Sequence, residues 1–147
     1  MKILYTAFKG KNNTSFQLVS QFNVECLFLT NSFQGLEKEI VSLSEHFDMV
    51  VMFGADNSLR NQIRIEKCAV QDSDAVVSKF HIEDLEHKCK QNHIDYAVSE
   101  KPTGYLCNAA YYHMLKKVPK TVFIHIPSIK WMNAELMRKL MCFEKFF

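Results

Sequence analysis

Three side chains in this 147-residue sequence are of types that do chemistry together: Cys107, His125 and Glu66. Cys107 lies in Pro102-Thr103-Gly104-Tyr105-Leu106-Cys107-Asn108, ahead of apolar residues at helical spacing, Ala109, Tyr112 and Leu115. The spacing predicts a helix that starts here and runs to Val118, with Thr103 as its cap. A thiol in a first helical turn sits beside unpaired N–H groups and the positive end of the helix dipole. Both favour the thiolate, and with a cation nearby they bring its pKa down from about 8.5. Most cysteines are small apolar filler, which is how Cys26 and Cys142 read; the helix start sets Cys107 apart.

His125 lies in Val122-Phe123-Ile124-His125-Ile126-Pro127, near the carboxyl end of the strand that follows the Cys107 helix. In open α/β sheets, sites form outside the carboxyl ends of strands, where helix N-termini also point. A cysteine at one and a histidine at the other can therefore converge. Glu66 sits among Ile63, Ile65 and Cys68, and a carboxylate on so apolar a strand is costly unless something pairs with it. An imidazole N–H would serve, and orienting that ring is the third role in a nucleophile–base–orienter set. Taken singly, each has a plainer reading: a filler thiol, a core histidine bonded to a carbonyl, a surface carboxylate on an edge strand.

The elements that must position these residues are legible as apolar runs. Lys2–Phe8, Val24–Thr30, Asp48–Gly54 and Thr121–Pro127 are of strand length and nearly continuous, as expected of strands covered on both faces. Ile63–Val70 and Asp95–Ser99 alternate more and read as edge or mixed strands. Between them, Leu36, Ile40, Leu43 and Phe47 follow Ser32 as a helix cap, and Phe80, Ile82, Leu85 and Cys89 form the inner side of a second helix. The chain closes on Leu136, Leu140, Phe143 and Phe147, with Asn133 as cap and Glu135 in the first turn. Strands alternating with helices predict a three-layer α/β/α fold with a mostly parallel, mixed central sheet, in a single domain over residues 1–147.

Composition narrows the function classes. A formal charge of +2 with scattered lysines gives no stripe for nucleic acid. Five cysteines, an odd count with no CxxC pair, favour reduced thiols over a secreted disulfide framework. The N-terminus lacks a signal-peptide core and no apolar stretch approaches membrane-spanning length, so a cytoplasmic protein is expected. Cys89 and His93 share a helix face, but two ligands without a partner pair do not build a tetrahedral metal site. The apolar loop Ser128–Met132 is either a subunit contact or internal packing.

Several stretches together resemble the pyroglutamyl peptidase I (pyrrolidone-carboxylate peptidase) family. Gly104-Tyr105-Leu106-Cys107-Asn108 resembles its nucleophile motif, Phe123-Ile124-His125-Ile126-Pro127 its histidine motif, and Ile63-Arg64-Ile65-Glu66-Lys67 with Ala69 its glutamate motif. The opening Met1–Phe8 is similar to its first strand, and Asn13-Thr14-Ser15-Phe16 to its Asn-Pro-Ser-Trp helix start. These come in the family's order from Met1 to about Pro127. The chain departs from the pattern in having only the first of two ring-binding aromatics, Phe8. It also has Val76 where the family has Arg, and a shorter middle.

The resemblance implies a cysteine peptidase that removes N-terminal pyroglutamyl residues from peptides. Cys107 would be the nucleophile, His125 the base and Glu66 its orienter, with Phe8, Asn13 and Phe16 at the substrate. It implies no metal or organic cofactor, and assembly as a homo-oligomer. Two alternatives stand beside it: a homologue that keeps the fold and acts by binding, and a thiol hydrolase with a changed amide substrate.

Overall fold

The computed structural model describes residues 1–147. In chain order the elements are β1 (Ile3–Phe8), α1 (Thr14–Val19), β2 (Cys26–Leu29), α2 (Phe33–Val41), β3 (Met49–Asp56), β4 (Ile63–Glu66), β5 (Cys68–Gln71) and β6 (Asp74–Val77). They continue with α3 (Ile82–Gln91), β7 (Tyr96–Ser99), α4 (Tyr105–Lys117), β8 (Thr121–Pro127) and α5 (Ala134–Leu140), and a 3-10 turn at Met141–Lys145 closes the chain.

Six strands form one sheet in the order β2-β1-β3-β8-β4-β7. β2, β1, β3 and β8 are parallel, β4 runs antiparallel to β8, and β7 is parallel to β4. Alternation along the strands divides the core in two. Tyr5, Ala7, Val51, Phe53, Val122, Ile124 and Ile126 pack with Leu18 of α1, Leu85 of α3 and Leu140 of α5. Leu4, Phe8, Val50, Met52 and Phe123 pack with Leu36 and Ile40 of α2 and with Ala110, Tyr111, Met114 and Leu115 of α4. This is the expected three-layer α/β architecture with a mixed, mostly parallel sheet. Each buried Leu, Ile, Val or Phe contributes about 2 kcal/mol of transfer free energy, so no disulfide is needed to hold the layers together.

The caps on α2 and α5 are as expected: Ser32 Oγ accepts from Gly35 N at 3.1 Å and Asn133 Oδ1 from Leu136 N at 2.8 Å. Other elements are shorter than their patterns. α2 ends at Val41, although Phe47 beyond it still enters the core, and Phe80 precedes α3 and packs at the core margin. The run from Ile63 to Val70 breaks at Lys67 into β4 and β5, and β5 pairs with β6 in a separate hairpin. The cause is on α4. Asn108 Oδ1 accepts from Val70 N at 2.9 Å and its Nδ2 donates to Val70 O at 2.6 Å, drawing β5 off the sheet and under the helix. Replacing Asn108 with Ala should cost about 1–3 kcal/mol, read as a lower denaturant midpoint at unchanged slope, because both Val70 backbone groups lose their partner.

In the Ser128–Met132 loop the half-buried Trp131 ring lies 3.3 Å from the Arg60 guanidinium, while Ile129 stays exposed. No helix is long and apolar enough to cross a membrane.

Candidate active site

His125 stands near the carboxyl end of β8, in register with Gly54 of β3 on one side and Arg64 of β4 on the other. Two residues apart on a strand share a face, so His125 and Phe123 both face the α2/α4 layer. Between His125 and that layer a side chain on Gly54 would be in the way: a Cβ there would lie 3.0 Å from Cys107 Sγ and 2.8 Å from the Phe123 ring. The missing Cβ is what lets the first turn of α4 lower its thiol onto the sheet, one strand from the imidazole. Cys107 and His125 line the same cleft, of ≈ 470 Å³, with Ala55, Asp56 and Asn57 after β3 and Thr103, Gly104, Tyr105 and Leu106 at the start of α4.

The helix does not start as expected. Gly104, not Thr103, is the N-cap, and no side chain caps it. The N–H groups of the first turn therefore stay free on the cleft side. The left-handed conformation also falls on an unexpected residue: Tyr105 has φ +64° beside a glycine at φ −93°. Holding a bulky residue there costs about 1–2 kcal/mol, and it leaves the Tyr105 ring 89% exposed at the cleft mouth.

Beneath the thiol lies a chain of charges. His125 Nδ1 and Glu66 Oε1 are 2.8 Å apart, both residues only 2% exposed. Arg64 Nε donates to the same Oε1 at 2.6 Å, and Arg64 Nη2 reaches Asp56 Oδ2 at 2.6 Å. Glu66 Oε2 is buried and unpaired, while Tyr111 of α4 donates to the Glu66 backbone carbonyl at 2.9 Å. Sequence reasoning passed over Arg64 and Asp56. For Arg64 a signal existed, since positions 64 and 66 of a strand share a face.

Burial acts against ionisation of Asp56, but hydrogen bonds from Ser58 and the Arg64 guanidinium outweigh it and hold the carboxyl at about 2. A depressed carboxyl stabilises the fold above its unfolded value, near 4, and that contribution is lost as pH falls towards 2. Asp56→Asn should therefore lose on the order of 1–2 kcal/mol at pH 6 and converge with the wild type near pH 2, measured by urea unfolding across pH.

The Cys107 thiol departs from its expectation. Burial pushes it up to about 12, the Asp56 and Glu66 charges add to the rise, and Arg64 opposes it. The helix start thus does not lower this thiol: desolvation and two nearby carboxylates raise it. The thiol is free and half-buried, with no hydrogen bond to the imidazole. With Nδ1 engaged by Glu66, Nε2 is the ring nitrogen left to take a proton.

The other three anticipated residues are not brought into the cleft. Continuing the β1–β3 register sets Phe8 opposite Gly54, on the correct face, but its ring is 4% exposed within the α2/α4 core. Asn13 caps α1, accepting from Ser15 N at 2.9 Å, and the Phe16 ring packs on Phe28 at 4.9 Å. The aromatic that lines the cleft is Tyr105. Cys89 is fully buried, and His93 lies beyond the end of α3 in a left-handed turn. A larger groove of ≈ 700 Å³ runs past Arg60, Lys90, His93 and Asp95; it holds no cysteine.

No family model matches the chain, and no curated protein matches it in sequence. Solved structures do match. Pyrrolidone carboxyl peptidase from Thermus thermophilus is similar at TM-score 0.80 and 19% identity, over 97% of this chain and 98% of that one. The enzyme of that name from Thermococcus litoralis matches at TM-score 0.76 and 20% identity, over 98% and 93%. Pyroglutamyl peptidase I from Bacillus amyloliquefaciens matches at 0.77 and 18%, over 96% and 94%. The fold is that of the pyrrolidone carboxyl peptidases, along nearly the whole chain.

Proposed function

We propose that the chain is a cysteine-type hydrolase that removes the N-terminal pyroglutamyl residue from peptides. One observation carries this reading: Cys107 and His125 share a cleft, and the imidazole is backed by a buried carboxylate at 2.8 Å. His125 Nε2 takes the thiol proton as Cys107 Sγ forms its bond to the pyroglutamyl carbonyl carbon. The oxyanion is met by the free N–H groups of the first turn of α4. Collapse breaks the C–N bond, and the imidazolium gives its proton to the leaving amine. Water, deprotonated by the same ring, then releases pyroglutamate and restores the thiol. Glu66 holds the ring in the required tautomer and stabilises its charged form. Because the thiol is pushed up to about 12, proton transfer accompanies attack.

A pyroglutamyl ring carries no charged amine and suits walls of mixed character. Tyr105, Leu106 and Ala55 give the apolar side of this cleft, and Thr103 and Asn57 the polar one. Phe8, Asn13 and Phe16 act in this reading from behind the wall, by holding β1 and α1 in place. The experiment is release of a fluorophore from a pyroglutamyl amide, set against the matching prolyl amide with its free amine. Turnover of the first alone is expected, and none above the blank would remove the proposal.

A second reading, a protein that binds through this cleft without hydrolysis, is favoured by the same raised thiol and its lack of a bond to the imidazole. Alkylation by iodoacetamide across pH separates the two. An alkylation rate at pH 7 that falls on His125→Ala supports the hydrolase, because the imidazole then takes the thiol proton. A rate that this substitution leaves unchanged supports the binder.

A further inference from the structure

Glu66 has two oxygens, and both of its charged neighbours bond to the same one. His125 Nδ1 and Arg64 Nε converge on Oε1, at 2.8 and 2.6 Å, while Oε2 is buried and unpaired. A carboxylate with one empty oxygen in a nearly water-free site is free to rotate and is poorly compensated. What stops it here is the guanidinium, which is itself held at its far end by Asp56 at 2.6 Å. The arrangement follows from sheet geometry: Arg64 and Glu66 share a face of β4, and Asp56 ends β3 two strands away, so an arginine side chain spans the gap.

The groups facing His125 are few. β4 brings Arg64 and Glu66, β3 brings Asp56, and α4 brings Cys107 and Tyr111. α1 also packs on β8 and offers only Thr14, whose hydroxyl donates to Pro127 O at 2.7 Å. With Cys107 and Tyr111 uncharged, the local sum is two carboxylates against one guanidinium. Remove Arg64 and both carboxylates act on the imidazole unopposed; remove Asp56 and the guanidinium cancels Glu66. These changes push the ring in opposite directions.

We propose that Arg64, anchored by Asp56, is a positioning residue for the Glu66–His125 pair, fixing the carboxylate and offsetting its charge so that it orients the ring without drawing a proton onto it. A general base must be unprotonated when it is needed, and an isolated carboxylate at 2.8 Å in a buried site would favour the imidazolium. The proposal rests on the hydrolase reading for its purpose, while its test needs no substrate.

The test is an NMR titration of histidine-labelled full-length chain, with His125 assigned among the six histidines by the His125→Ala variant. Arg64→Gln should raise the His125 midpoint, Asp56→Asn should lower it, and Arg64→Lys should bring it back towards the wild type. A residue that merely held the fold together would move the midpoint the same way in both charge-removing variants, or not at all, and either result overturns the proposal. Should Arg64→Gln not fold, the sign of the Asp56→Asn shift decides. A wild type that cleaves no pyroglutamyl amide would end the hydrolase reading and leave this titration valid.

Discussion

On the hydrolase reading proposed above, turnover of a pyroglutamyl amide should fall to the blank rate when Cys107 is replaced by Ala, and by roughly 1,000- to 10,000-fold when Glu66 is replaced by Gln. The first removes the thiol that forms the acyl intermediate in that reading. The second is the more informative. Glutamine keeps the shape of Glu66 and one acceptor for His125 Nδ1 and Arg64 Nε, but carries no charge. The imidazolium formed during attack then loses its counter-charge in a site that is 2% exposed, where no water compensates. Arg64 retains only Asp56 as an ionic partner, so stability should also fall, by about 2 kcal/mol. The loss should appear in kcat with little change in KM, since neither oxygen of Glu66 lines the cleft. A Glu66→Gln protein within tenfold of wild-type turnover would show that His125 needs no charged partner.

Adding one methyl group at Gly54 will cost about 1–3 kcal/mol of stability and on the order of 100-fold in turnover. The new Cβ would sit 2.8 and 2.9 Å from two atoms of the Phe123 ring and 3.0 Å from Cys107 Sγ, closer than such atoms approach without something moving. Phe123 cannot easily give way, because its ring is wedged between Tyr111 at 5.4 Å and His125 at 4.7 Å between centroids. The thiol is the freer party and will swing away from its place over Gly54. Gly104→Ala is the control: its φ is −93° and nothing lies within 4 Å of a Cβ there, so stability should hold within about 0.5 kcal/mol. Equal losses in the two variants, by urea unfolding and amide turnover, would show that close packing over Gly54 is not what seats the nucleophile.

Much of this was readable from the chain alone. Continuous apolar runs marked the covered strands β1, β3 and β8, and serine and asparagine marked the starts of α2 and α5, because these are local signals carried by neighbouring residues. The break at Lys67 was not readable, since Asn108, far along the chain, makes it. The Tyr105 turn was also hidden, because a tyrosine carries no local signal for a left-handed backbone.

By itself the sequence determined which residue types stand at the ends of which elements, and so that a thiol, an imidazole and a carboxylate could meet on one sheet face. Tertiary structure alone decided the protonation chemistry of that meeting. Whether a thiol ionises depends on the water and charge around it, and here burial with Asp56 and Glu66 nearby pushes Cys107 up, where its place in a helix suggested the reverse. The Arg64–Asp56 link likewise exists only once β3, β8 and β4 lie side by side, because a charge acts through space and not along the chain.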